Sequence, residues 1–413
     1  MKPQSAESAA VARLRTLEAV RERCAEILAR AETDALRHFR LHHERIDAAV
    51  DYVLATIESS YPDLDIPFHS RWRHFHVGGV DRWGKLADAL AHQDADELAR
   101  TRIDLVVTSV LLDAGAGDSW RYLEPASGNV YARSEGLAVA SLDLFASGAF
   151  SARDDEPLRA DARALTKLSQ QRLEQAFQVR ADNPLVGIAG RVELMRRLGE
   201  VLVGNAALFG ADEPRIGNLF DYLAGRARDN RLQASTIFST LVSAFAPIWP
   251  GRLELAGENL GDVWHHSAIR RGDPSNALVP FHKLSQWLTY SLVEPLEARG
   301  IRVVDLDALT GLAEYRNGGL LLDLGVLAWK DPRDAQRTHD VASEPVVEWR
   351  ALTVALLDAL AVRLRARLGV DAERLPLVKV LEGGTWSAGR RIARERRAGG
   401  GPPIAVTSDG TVF

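Results

Sequence analysis

The sequence predicts a mainly α, multi-helix globular fold with few short strands, on three observations. Apolar residues recur at helical spacing through much of the 413-residue chain, strand-like alternation is scarce, and one segment carries both a helix start and a helix stop. From the N-terminus, Ala6 to Ala31 is rich in Ala, Leu, Arg and Glu, with Val11, Leu14, Leu17, Val20 and Leu28 marking one side, which predicts a single amphipathic helix. The same period returns over Ile46 to Ile57, Ile103 to Leu112, Leu185 to Val203 and Leu232 to Leu241. Leu278 to Leu296 reads as a helix with Phe281, Leu284, Leu288 and Leu292 on its apolar flank. Between Asp305 and Leu327 two short apolar-periodic segments are separated by Asn317, Gly318 and Gly319, residues that suit a left-handed helix end. The clearest helix has Ser343 as N-cap and Pro345 in its first turn, and runs through Leu357, Leu360, Leu364 and Leu368 to Gly369. Gly399 to Pro403 must be a loop, and Ile404 to Phe413 a short strand or turn.

The chain is long enough to bury a large core without disulfides. Cys24 is its single cysteine, which excludes an intrachain disulfide framework and a cysteine zinc cage and suits a reducing compartment. Lys and Arg number 51 against 56 Asp and Glu, and the net charge of −5 disfavours nucleic acid as a partner. The basic run Arg390, Arg391, Arg394, Arg396 and Arg397 reads as a solvated helix face or a hold for one phosphate. The start of the chain lacks the apolar stretch of a signal peptide, and no run of about 18 apolar residues occurs, so a cytoplasmic, non-membrane protein is expected. Breaks at Ser151 to Pro157, Gly210 to Gly217, Arg270 to Asn276 and Lys330 to Ser343 divide the periodic segments. The segmentation adopted is an N-terminal helical segment 1–69, a helical lobe 70–277 and a C-terminal lobe 278–413 that carries the active site.

Candidate chemistry concentrates in that last lobe. Lys283, Trp287, Tyr290 and Glu294 are spaced by four, three and four, and form a cationic, aromatic and acidic stripe beside the apolar flank. It fits either a polar pocket, with the ammonium on a phosphate and the rings on a planar group, or a boundary helix. Glu314, Tyr315 and Arg316 are expected at the last turn before the glycine corner, with Asp323 on the next turn. A carboxylate beside a guanidinium and a phenol suits N-glycosidic hydrolysis, where a developing oxocarbenium ion needs negative charge and water needs a base. A salt bridge fixing the hairpin fits the spacing equally well. The histidines His69, His74, His76, His265 and His266 form no metal-binding pattern, and neighbours on a helix diverge by about 100 degrees, so no metal is expected. Asp113 to Trp120 lacks the Lys-Ser/Thr of a phosphate loop and reads as a turn, with Asp113 kept as a pocket candidate. No G-x-S-x-G element supports a serine hydrolase.

Several stretches together resemble the uracil-catabolism protein four, or uracil-regulated protein three, family. They are S-R-W-R-H-F from Ser70, D-L-V-V-T-S-V-L-L-D-A-G-A-G from Asp104, R-S-E-G-L-A-V-A-S-L-D from Arg133 and N-P-L-V-G from Asn183. L-V-P-F-H-K-L-S-Q-W-L-T-Y-S-L from Leu278, L-T-G-L-A-E-Y-R-N-G-G from Leu309, E-W-R-A-L-T from Glu348, L-E-G-G-T-W from Leu381 and the terminal S-D-G-T-V-F complete the match, from about Ser70 to Phe413. The resemblance implies a role in a uracil-degradation route that opens the pyrimidine ring at the nucleotide level and ends in urea. A more distant likeness, confined to Pro280 to Leu327, is to the queuosine-nucleotide N-glycosylases, themselves related to helical, helix-hairpin-helix-type DNA glycosylases. It places Lys283 on that family's active-site lysine and Glu314, Tyr315 and Arg316 on its Asp-Tyr-Arg triplet. The departures are Glu314 for Asp, Gly318 and Gly319 for Pro-Gln, and Ser291 for another Asp, so base specificity differs.

Together these readings imply an N-ribosyl hydrolase acting on a small nucleoside- or nucleotide-derived substrate, with ribosylurea or its 5′-phosphate favoured and pathway enzymes as candidate partners. Glu314, Lys283 and Asp323 are the expected catalytic residues, and Tyr315, Arg316, Trp287, Tyr290, Asp113, Arg133 and Glu382 the expected substrate-binding ones. Hydrolysis of an N-riboside demands no cofactor. The alternatives are a ribosyl or phosphoribosyl transferase of uracil metabolism, against which the scarcity of strands and the missing phosphate loop argue, and a non-catalytic binding subunit.

Overall fold

The computed structural model describes residues 5–90 and 92–407. It is mainly α: the described strands form six two-stranded pairs and no wider sheet. The terminal S-D-G-T-V-F stretch lies outside the described residues. No described helix is long and apolar enough to cross a membrane.

Two compact units share the described residues, the first built from 5–69, 252–286 and 306–407, the second from 70–90, 92–251 and 287–305, so that residues 278–407 contribute to both. The centre of the first unit is the helix Glu344–Leu368, which starts after Ser343, carries Pro345 in its first turn and stops at Gly369 with φ 66°. Its buried side chains, from Val346 through Leu364, pack on Leu17–Glu32 and on Tyr315–Asp323. Cys24 is buried in that seam, and burial pushes its thiol up, which makes it inert. Ser387–Arg396 packs on Tyr315–Asp323, preceded by a π-helical turn, Val380–Trp386, that rests on Ile46–Ser60. In the second unit Ala95–Leu111, buried continuously from Ile103 to Leu111, packs against Arg133–Ala146 and Ile188–Gly204.

Three expected elements differ. Ala6 to Ala31 is two helices, Ala6–Leu14 and Leu17–Glu32, because Thr16 turns extended and its hydroxyl caps Ala19 N at 3.1 Å. Leu278–Pro280 is a strand paired antiparallel with Val263–His265, so the helix starts only at Lys283. Gly318 and Gly319 end no helix: they lie inside Tyr315–Asp323, where the lack of a side chain admits Trp349 and Pro403. A Cβ on Gly318 would come within 2.6 Å of the Trp349 indole, whose Nε1 donates to Gly318 O at 3.0 Å. Gly318→Ala is therefore expected to cost about 1–3 kcal/mol of overpacking, whereas Gly319→Ala meets Pro403 at a softer 3.0 Å and should cost less; melting temperatures of the two variants make the comparison.

Candidate active site

In the first unit the motif residues meet through hydrogen bonds. Gln286 reaches across to Thr310: its amide donates to Thr310 Oγ1 at 2.8 Å and its carbonyl accepts Thr310 N at 2.8 Å. Asp262 accepts Lys283 N at 3.0 Å, Trp264 Nε1 at 2.6 Å and both terminal nitrogens of Arg350 at 2.8 Å. Arg350 lies over the Phe281 ring, 4.2 Å from its centroid, and its Nε donates to Ala313 O at 3.2 Å, one residue before Glu314. Burial alone would push the Asp262 carboxyl up, but the Arg350 charge and the donated hydrogen bonds outweigh it and hold the group well below the usual carboxylate range. The start of the Lys283 helix and the turn before Glu314 are thereby fastened to one ion pair, Arg350 buried and Asp262 half-buried.

Glu314 is the N-cap of Tyr315–Asp323, not a last-turn residue as expected. With the glycines inside that helix, its extended backbone and acceptor side chain make it the helix start. Its Oε2 accepts Arg316 N at 2.7 Å and its Oε1 accepts Asn317 N at 2.6 Å, at the positive end of the helix dipole, and the residue is 8% exposed. Arg316 stands over the Tyr315 ring, 4.9 Å from its centroid, and donates from Nη1 to Gly400 O at 2.7 Å. The carboxylate is thus aimed and fixed, with Arg316 at its side and Lys283, itself buried, on the element joined through Asp262 and Arg350.

Asp323 is not part of this group. Nine residues further along the helix, it lies about 13 Å from the cap at 1.5 Å per residue, and pairs with Arg397 through two hydrogen bonds of 2.7 and 2.5 Å. The pair fastens the helix end, so Asp323→Asn should lower the melting temperature; if the carboxylate serves only this pair, turnover stays within about threefold of wild type, measured side by side. Glu382 sits on the π-helical turn and bonds His69 Nδ1 at 2.6 Å. Such a carboxylate orients an imidazole.

The remaining candidates belong to the second unit. Trp287 and Tyr290 are buried on the continuation of the Lys283 helix, whereas Glu294, the last residue of the stripe, is half-buried and pairs with Arg73 at 2.6 Å. Asp113 follows Ala95–Leu111 and pairs with the buried Arg71 at 3.0 Å. Its turn is held by Arg191, which donates to the carbonyls of Leu112 at 3.0 Å, Gly115 at 3.2 Å, Ala114 and Val186; burial brings that guanidinium down to about 10. Arg133 starts the next helix with φ 53° and faces Asp118 at 3.6 Å. A charged cleft of about 750 Å³ is lined by Arg100, Arg153, Arg159 and Arg215, but each is ion-paired with a carboxylate. Among the described residues no three His, Cys, Asp or Glu side chains gather as metal ligands.

Sequence reasoning missed Asp262, Arg350, Gln286 and Arg71. A signal existed for Arg350: Glu348 and Arg350 interrupt a helix whose other residues in that turn are apolar and aromatic. Gln286 and Arg71 lie inside quoted motif stretches, whereas Asp262 lies in none of them.

Fold and site together define a mainly helical protein with a buried, helix-capping carboxylate, the turn before it fastened to an Asp–Arg pair. The family model described as "Protein of unknown function (DUF1688)" matches residues 13–413. The chain belongs to that family. It is 39% identical to Protein urg3 of Schizosaccharomyces pombe over 415 residues, covering 98% of this chain and 99% of that protein. It is 40% identical over 408 residues to Uracil catabolism protein 4 of Lachancea kluyveri, covering 91% and 92%.

Proposed function

We propose that this protein is an enzyme of uracil catabolism that hydrolyses an N-ribosyl bond, with ribosylurea or ribosylurea 5′-phosphate as substrate. The relative named Uracil catabolism protein 4 supplies the metabolic setting. The observation that carries the chemistry is Glu314: a buried carboxylate held by two backbone N–H groups at a helix N-terminus. Negative charge fixed in a dry site stabilises a developing oxocarbenium ion without reorganising during the reaction. Because both oxygens already accept hydrogen bonds, the role assigned is charge stabilisation rather than proton abstraction from water. Lys283 and Arg316 hold ribose hydroxyls or the phosphate, and Tyr315 shapes the pocket.

One observation favours a second reading. The same cap is a structural device, so a binding subunit that holds a pathway intermediate without turnover would also keep Glu314. Incubating the purified protein with ribosylurea, its 5′-phosphate, uridine and UMP, and following urea, uracil and reducing sugar, separates the two. Urea or uracil release that depends on Glu314 supports the hydrolase; saturable binding with no release supports the subunit.

A further inference from the structure

The second unit holds a polar group that the Glu314 chemistry does not use. Arg71 is wholly buried. Its Nε donates to Ser109 Oγ at 2.7 Å, and Nη1 donates to Ser134 O at 3.2 Å and lies 3.0 Å from Asp113 Oδ1. Nη2, between them in the planar fork, meets no acceptor. Across from it, Asp113 Oδ2 accepts the Ser134 hydroxyl, but Oδ1 receives no hydrogen bond, only the ion-pair contact. The Trp287 ring lies 5.6 Å from the guanidinium carbon, with His74 edge-on to that ring. A buried donor without an acceptor, Nη2, therefore adjoins a buried carboxylate oxygen whose one neighbour is the Arg71 ion-pair contact and which keeps a lone pair free, beside an aromatic face. Buried polar groups are rarely left so.

The charges say what fits. Arg71 and Asp113 neutralise each other, and the next charges they sense, Glu135 and Arg191, are again one of each sign. An arriving ion would lose its hydration to a balanced site, whereas a neutral group with a carbonyl and an N–H side by side satisfies both unmet atoms. The approach is from the Asp113 side, where that side chain keeps 9% exposure and Ser134 and Glu135 are half-buried. There the helix Arg133–Ala146 begins without a side-chain cap, on a residue held at φ 53°, the kind of strain that gathers at ligand sites.

We propose that Arg71 and Asp113 form a recognition site for an uncharged planar group in which a carbonyl and an N–H stand side by side, the pattern of a ureido group or a uracil imide. The carbonyl accepts from Arg71 Nη2 and the N–H donates to Asp113 Oδ1. This site does not depend on Glu314 being catalytic, and it is read by binding without turnover.

The test is equilibrium titration of the full chain with uracil and with N-methylurea, against acetate and inorganic phosphate as competitors, alongside hydrogen exchange of the backbone. Saturable binding of both neutral probes is expected, with protection at residues 109–115 and 133–136 and no competition by the anions. Asp113→Asn and Arg71→Lys should each weaken binding at least tenfold. Should Arg71→Lys fail to melt cooperatively, Asp113→Asn and the exchange footprint decide. Displacement by either anion, binding that survives Asp113→Asn, protection confined to segments other than 109–115 and 133–136, or no saturable binding to wild type overturns the assignment.

Discussion

Glu314→Gln is expected to lower N-riboside turnover by 100-fold to 1000-fold, about 3 to 4 kcal/mol of transition-state stabilisation, while the protein stays folded. Two effects of the substitution must be kept apart. As an N-cap, Gln keeps one acceptor oxygen for the Arg316 and Asn317 N–H groups that the carboxylate now shares between two, a loss of about 1 kcal/mol of stability. As a charge, it loses the whole anion. The stability term alone leaves nearly every molecule native under assay conditions, so it cannot produce a hundredfold loss of kcat. Measured together, kcat and melting temperature separate the roles: a collapsed kcat with a small shift in melting supports charge stabilisation, a small shift with unchanged release leaves Glu314 a cap and assigns the catalytic charge to another residue, and no release from wild type moves weight to the binding subunit.

The long helix was legible because its start and stop signals are local: Ser343, Pro345 and Gly369 act on backbone within a few residues of themselves. The glycines of the Glu314 segment misled for the opposite reason. Gly318 is small because Trp349 packs on it, and that contact spans 31 residues, so no local pattern distinguishes a packing glycine from a turn glycine. Thr16 could have been read as a cap, but Leu14 and Leu17 keep the apolar period across it. At the site, the motif residues Lys283 and Glu314 were visible as chemistry, whereas the pair that fastens their segments was not. Asp262 and Arg350 are 88 residues apart, and a charge destined for burial looks like any other until its partner is known. Asp323 shows the same limit from the other side: Arg397, which pairs with it, is 74 residues away and leaves no mark near the motif.

That hidden pair carries the second large effect. Arg350→Met leaves the Asp262 carboxylate without its cation and Ala313 O without its donor. Breaking a buried pair from one side costs about 3–5 kcal/mol; Asp262 keeps 17% exposure, so the lower end is expected, which lowers the melting temperature by on the order of 5 °C. The Asp262→Asn, Arg350→Met double variant should recover part of that loss, since the stranded charge is gone. Acid provides an independent check. The folded Asp262 carboxyl lies below its ordinary value, near 3.9 in the unfolded chain, so the unfolded state binds the proton first as pH falls. The pair's contribution is full above about pH 5, and is lost as the pH drops below about 4 toward the folded value. Equilibrium unfolding between pH 6 and 3 should therefore show wild type losing stability more steeply than Asp262→Asn. Parallel slopes would mean that Arg350 is held by Phe281 and Ala313 O rather than by the carboxylate, and the fastening between the Lys283 and Glu314 segments would then rest on packing.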